Sequence, residues 1–292
     1  MSQNDKLIDL PFYSISNTEF NSLHVNDNNP TKCNFNKHYN LNNQDYATIQ
    51  QINNIRNIQD KLSILIINSR SLNKNFTKLE ILINLLNIKP TIIFVSETWI
   101  NLNKPLLYSL KGYAFYNDPG DNKSGGAGLF IQNHINYKII NNYKFNIPNC
   151  EEIWAEITIP GEKSITIASL YRHPGNQIND FQNNLLKNIE TLNRLNRNYI
   201  IGGDININLL STKNFVTDYK NEILSQGILQ LTKAPTRIQN NHISLLDHIY
   251  TNIEDYKLNT KCITFNISDH IPVLTILNSH KILSNLQVQM KI

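Results

Sequence analysis

With 292 residues, 40% of them hydrophobic, the chain can bury a substantial core and reads as one large domain or two small ones. Its 27 basic and 23 acidic residues leave a net charge of +4, too mild to identify a nucleic-acid binder. Three scattered cysteines, Cys33, Cys150 and Cys262, form no Cys-x-x-Cys pair, which argues against a zinc knuckle and against a disulfide scaffold.

The opening MSQNDKLIDLPFYSIS lacks the basic region and apolar run of a signal peptide, and no apolar stretch reaches transmembrane length. A soluble intracellular protein is expected, with no membrane partner. Residues 1–58 are polar, Asn-rich and non-periodic, so they are expected to be an irregular or disordered lead-in. LSILIIN, from residue 62, is a continuous apolar run of strand length. KNFTKLEILINLLNIKP follows, with Phe76, Leu79, Leu82, Ile83 and Leu86 at helical spacing and Pro90 at its end. TIIFVSETWI gives a second buried strand, so residues 62–100 predict a strand–helix–strand unit. Short strands YAFYN, GAGLFIQ, YKIIN, IWAEITIP and SITIASLYR come next, separated by turn signals that include DPGDNKSGG. DFQNNLLKNIETLNRLN predicts a helix with Phe181, Leu185, Ile189 and Leu192 on one side. NYIIGGDIN is a strand, NFVTDYKNEILSQGI a helix ending near Gly227, and SLLDHIYTN, LNTKCITFN and IPVLTIL three closing strands. No internal repeat is visible. The expected division is an irregular segment at 1–58, one domain at 59–280 and a tail at 281–292.

Several of these strands end on polar residues: Asn68, Glu97, Tyr171, Asp204 with Asn206, Asp247, and Asp269 with His270. Taken singly, each has a plain structural reading as a cap, a turn residue or a solvated loop group. Together they resemble a site, because sites in α/β sheets gather at strand ends. Their chemistry is also consistent. Glu97, Asp269 and the Asn68 amide oxygen are hard ligands suited to Mg²⁺, with Mn²⁺ as an alternative. Asp204 suits orientation and deprotonation of a water, Asn206 and Tyr171 suit donation to a phosphoryl oxygen, and His270 beside Asp247 suits an imidazolium facing an anionic transition state. The set fits in-line attack of water on a phosphate ester. No Gly-x-Ser-x-Gly elbow and no Walker P-loop occur.

The motifs INSRSLNKN, IIFVSETW, SGGAGLFI, ASLYRHPG, IIGGDININ, LLDHIYTN and ISDHIPV run in an order that resembles the endonuclease/exonuclease/phosphatase superfamily. More narrowly, SETW, YRHP, GDIN and SDHIPV resemble the apurinic-endonuclease-like domain of non-LTR retrotransposon proteins. The resemblance covers about residues 60–278. It implies a DNase I-like, four-layer α/β (α+β) sandwich of two mixed β-sheets flanked by helices. It implies metal-site roles for Asn68, Glu97 and Asp269, a phosphate contact for Tyr171, and catalytic roles for Asp204, Asn206, Asp247 and His270. The implied activity is a Mg²⁺-dependent nick in DNA that leaves a 3′-hydroxyl to prime reverse transcription, in a nuclear setting and by a monomer. Two departures stand out. Ile205 replaces the usual aromatic of the Gly-Asp-x-Asn motif, and no reverse transcriptase follows. The chain is therefore read as a fragment, a truncated element copy or a stand-alone nuclease.

Arg172 and Arg237 are candidate DNA contacts, and His173 is either a backbone contact or a loop residue. His248, next to Asp247 on a strand, is expected to face the opposite side as a structural group. Trp99 and Trp154 are expected to be packing residues. Two rival functions share the sequence signal: the same fold acting on a lipid or nucleotide phosphate, and a catalytically dead DNA-binding remnant.

Overall fold

The computed structural model describes residues 43–55, 61–100, 108–120, 124–159, 161–175, 178–239, 242–254 and 257–281. The expected irregular segment up to residue 42 and the expected tail from 282 lie outside the described residues. The later part of that segment departs from expectation. Strand β1 (Tyr46–Ala47) joins a sheet, and helix α1 (Ile49–Asn53) follows it. A capping box starts α1: the Thr48 hydroxyl accepts from Gln51 N at 3.2 Å, and the Gln51 side chain accepts from Thr48 N at 2.8 Å. Ile52 then buries its side chain under the first sheet.

The strand–helix–strand unit forms as expected from β2 (Lys61–Asn68), α2 (Leu72–Leu85) and β3 (Ile92–Ser96), with β2 and β3 parallel. Strands β4 (Tyr113–Asp118), β5 (Ala127–Gln132), β6 (Asn136–Ile140), β7 (Cys150–Thr158) and β8 (Ile165–Arg172) precede α3 (Ile178–Arg194). Then come β9 (Asn198–Asp204), α4 (Asn214–Ser225), β10 (Leu229–Gln230), β11 (Arg237–Gln239), β12 (His242–Ser244), β13 (Asp247–Thr251), β14 (Leu258–Ile263) and β15 (Val273–Lys281). The first sheet has the order β1-β14-β15-β2-β3-β5-β4, the second β10-β13-β9-β8-β7-β6, and β11 with β12 forms a small hairpin.

Both large sheets are buried on both faces, which explains why their central strands read as unbroken apolar runs. Ile64 and Ile66 of β2, Phe94 of β3 and Leu129 of β5 meet Ile153, Ile167, Ile200 and Ile249 of the second sheet. The alternate residues Leu65, Ile67, Ile93 and Val95 pack on Leu79, Leu82 and Ile83 of α2. Outside the second sheet, Trp154, Tyr199 and Ile201 pack on Phe181, Leu185 and Ile189 of α3 and on Val216, Tyr219 and Ile223 of α4. The result is the expected four-layer α/β/β/α sandwich. Among the described residues, no helix is long and apolar enough to cross a membrane.

Candidate active site

Strand register brings the polar tips to one edge of the sandwich. Asn68 ends β2 beside Ser96 at the end of β3. In the second sheet, Asp204 pairs with Tyr171 on one side and with Asp247 on the other. The Gly202-Gly203 pair makes this approach possible. A Cβ on Gly202 would lie 2.7 Å from Ile66 Cδ1, in the opposing sheet, and 2.8 Å from the His248 carbonyl. Gly203 has φ +145°, and a Cβ there would meet the Leu170 carbonyl oxygen at 1.9 Å. Only glycine fits either position.

Asp204 is the hub. Its Oδ2 accepts from Asn68 Nδ2 at 2.7 Å and lies 3.9 Å from His270 Nε2. Its Oδ1 accepts from Asn206 N at 3.0 Å. Asn68 Nδ2 also donates to Glu97 Oε1 at 2.8 Å, so one amide separates two carboxylates. The Asn68 amide oxygen, expected to face a metal, instead accepts from Arg70 N at 3.0 Å. Burial pushes the Asp204 carboxyl upward, while His270 and the Asn68 amide pull it back.

His270 is fixed at its other nitrogen, with Nδ1 2.8 Å from Asp247 Oδ2. Burial disfavours the imidazolium, yet the carboxylates of Asp247 and Asp204 outweigh it and raise the His270 pKa. Asp204, Asp247 and His270 thus form one buried cluster, with ligand atoms within 4.8 Å of one another.

Asp269 faces the opening. Its Oδ2 takes Arg237 Nε at 2.8 Å and Arg70 Nη1 at 2.9 Å. Burial opposes ionisation there, but His270, Arg237 and Arg70 hold the carboxyl below its usual range. These groups line a cleft of about 340 Å³ together with Glu97, Tyr171, Asn206 and His270. Burial, then Glu97 and Asp204, drive the Tyr171 phenol pKa far upward, which keeps its proton available for donation. Asn206 Nδ2 donates to the Arg172 carbonyl at 2.8 Å.

Arg172 is not in the cleft. It is 2% exposed, and its guanidinium donates to the carbonyls of Ile205 at 2.6 Å and Asn206 at 2.9 Å. Residues i and i+1 of a strand face opposite ways, so Tyr171 takes the site face and Arg172 cannot share it. The expected phosphate contact is therefore corrected to a buried brace under the Asp204–Asn206 turn. Trp99 is also corrected: its indole is 38% exposed and lines the cleft, whereas Trp154 is fully buried as expected.

A profile of the Endonuclease/Exonuclease/phosphatase family matches residues 38–270, most of the chain. The chain belongs to that family. No curated protein matches it. Solved structures of the endonuclease/exonuclease/phosphatase fold superpose along nearly their whole length. The endonuclease domain of TRAS1, a telomere-specific non-LTR retrotransposon, is 15% identical with a TM-score of 0.59, covering 74% of this chain and 98% of that one. The Xenopus laevis APE2 catalytic domain is 15% identical with a TM-score of 0.60, covering 77% and 94%. The 3′-5′ exonuclease NExo from Neisseria meningitidis is 15% identical with a TM-score of 0.55, covering 74% and 100%. At these identities the likeness establishes the fold.

As a member of this hydrolase family, the chain should offer a seat for a hard divalent cation. Two observations fit one. Glu97 and Asp269 put carboxylate oxygens on the cleft wall. Asp269 Oδ1 is buried without a hydrogen-bond partner while Oδ2 carries two guanidinium contacts. The donors are oxygens, as Mg²⁺ or Mn²⁺ requires.

Sequence reasoning passed over four residues that build the site. Ser96 Oγ accepts from Asp204 N at 3.0 Å and donates to the Leu170 carbonyl at 3.1 Å, joining the two sheets. Thr236 Oγ1 accepts from Asp247 N at 3.1 Å. Ser268 Oγ accepts from His270 N at 3.1 Å and donates to the Asn68 carbonyl at 2.6 Å. Glu151 pairs with His173 Nε2 at 3.0 Å and accepts from Gly126 N at 3.2 Å, bracing the wall beside Tyr171. Ser268 lies inside the ISDHIPV motif and Ser96 inside SETW; the other two carry no local signature.

Proposed function

We propose that this protein is a metal-dependent phosphodiester hydrolase that nicks DNA, of the type found in non-LTR retrotransposons. The observation that carries the reading is the Asn68–Asp204–His270–Asp247 chain of contacts at 2.7, 3.9 and 2.8 Å, set beside a cleft edged by Arg70 and Arg237. Glu97 and Asp269 would hold Mg²⁺, with Asn68 keeping Glu97 and Asp204 apart. When bound, the cation supplies Lewis-acid stabilisation of charge on the scissile phosphate.

The chain's own residues do the rest. Asp204 orients a water in line with the phosphorus and takes its proton as the new O–P bond forms. The P–O3′ bond breaks, and the departing oxygen gains a proton from solvent to become a 3′-hydroxyl. His270, kept cationic by Asp247, faces the charge that builds on the phosphoryl oxygens. Tyr171 donates a hydrogen bond to the same group. Arg237 and Arg70 attract the polyanion to the cleft.

Supercoiled plasmid provides the test. The wild-type chain should convert it to open circles with Mg²⁺ or Mn²⁺ and not in EDTA. Asp204→Ala should lower the rate about 10²- to 10⁴-fold, the range for loss of a general base. A folded wild-type chain that leaves plasmid intact across both metal titrations overturns the proposal. Phosphate release from a lipid headgroup or nucleotide in its place would redirect it.

A further inference from the structure

Trp99 is held in a strained and exposed position at the cleft. Glu97 and Trp99 both adopt left-handed backbone conformations, with φ +53° and +52°. Such conformations in non-glycine residues persist only when their surroundings enforce them. Here two segments clamp residues 97–99. On one side Ser71 N donates to the Glu97 carbonyl at 3.0 Å and Leu72 N to the Thr98 carbonyl at 2.9 Å. On the other, Thr98 N donates to Gly126 O at 3.2 Å and Trp99 N to Gly125 O at 2.8 Å.

The strain aims the largest side chain of the segment outward. Five large hydrophobic side chains are exposed among the described residues, and Trp99 is the one that lines the cleft. Its Nε1 donates to Glu97 Oε2 at 3.2 Å, which fixes the ring edge against the acid. A tethered indole face beside Arg70 and Arg237 combines a flat apolar surface with cations for a polyanion. That pairing suits a nucleobase flanking a phosphate: every base has a π-face, and stacking tolerates sequence. A cationic lipid headgroup would also favour an indole, but it would meet the two guanidinium groups nearby.

We infer that Trp99 is the stacking platform for a nucleobase next to the scissile phosphate, a base subsite that orients the strand over Asp204. The inference rests on the DNA-nicking reading, and the experiment separates the two. The sequence has two tryptophans, and Trp154 is fully buried, so quenching by a solute in the cleft reports Trp99.

The full chain is titrated with a short oligonucleotide in EDTA, where nothing is cleaved, while tryptophan emission is followed. Oligonucleotide should quench the exposed fraction of the emission, and phosphocholine should not. Trp99→Ala should lose the quench and weaken oligonucleotide binding about 5- to 150-fold, the effect of deleting one base–aromatic stack. Trp99→Phe keeps a ring and drops the N–H, so it should recover most of the affinity. The Trp154 emission and far-UV circular dichroism report whether each variant is folded. Plasmid nicking without any Trp99 quench overturns the platform and leaves the nuclease reading standing. So does Trp99→Phe binding as weakly as Trp99→Ala, which would assign the effect to the Glu97 hydrogen bond. Absence of both oligonucleotide binding and nicking by the folded wild type overturns both.

Discussion

His248 follows Asp247 on β13, yet it lies in the layer between the second sheet and the helices. Its Nε2 donates to the Ile207 carbonyl at 2.9 Å, and its Nδ1 accepts from the Tyr250 hydroxyl. A carbonyl can only accept, so Nε2 carries a proton, and burial of the ring favours the neutral form, whose Nδ1 accepts from the Tyr250 hydroxyl. Burial pulls the His248 pKa down to about 4 from 6.5. The unfolded chain therefore binds a proton that the folded chain refuses. Stability from this group should be complete above pH 6.5, decline as pH falls toward 4, and amount to roughly 3 kcal/mol by linkage. Urea unfolding at pH 8, 6 and 4.5 checks this. His248→Gln should flatten that slope, and an unchanged slope would refute the assignment. Period-two alternation read from sequence placed Asp247 and His248 on opposite faces, and the same rule explains why Tyr171 and Arg172 could not both line the cleft. Ser96, Thr236 and Glu151 were illegible for a different reason. Their roles depend on chain neighbours more than 10 residues away in sequence, such as Asp204, 108 residues from Ser96.

At the level of elements, the strand β9 depends on its two glycines. Gly203→Ala would drive a methyl into the Leu170 carbonyl and occupy a backbone region unfavourable to alanine. The expected loss is roughly 2–6 kcal/mol, seen as a lower melting temperature or as loss of soluble protein. Ser96→Ala is milder. It leaves Asp204 N and the Leu170 carbonyl without their partner, for about 1–3 kcal/mol. It should also lower the rate of the proposed nicking reaction, because the Asp204 backbone loses its tether, and a variant with full activity and wild-type melting would refute the role. Most elements were legible in sequence, because a strand buried on both faces is a continuous apolar run and α2 and α3 repeat with helical period. Strand β1 and α1 were not. A two-residue strand has no period, and a polar Asn-rich background hid the one available signal, Thr48 followed three residues later by Gln51.

On the scale of the whole molecule, the cleft draws its groups from both sheets. Asn68 ends β2 and Glu97 follows β3 in the first, and Asp204 and Asp247 belong to the second. The cation proposed to sit between Glu97 and Asp269 would bind the folded chain alone, so Mg²⁺ should raise the melting temperature. At a hundredfold excess over Kd the gain is about 2.7 kcal/mol. Differential scanning calorimetry with and without EDTA measures it, and Glu97→Ala should abolish the difference. An identical melting temperature in both buffers would remove Glu97 from the metal seat.

The order β1-β14-β15-β2-β3-β5-β4 puts β15 in the middle of the first sheet, between β14 and β2. The chain starts that sheet, leaves to build the second one, and returns to fill the gap. During synthesis, β2 thus waits for a neighbour about two hundred residues downstream. Asp269 and His270 arrive in the same late portion, just ahead of that neighbour. Until these residues have been made, the polypeptide has neither a completed first sheet nor its imidazole. A product truncated before residue 269 would lack Asp269, His270 and the interior strand β15, so it should fold poorly and show none of the activity proposed for this centre.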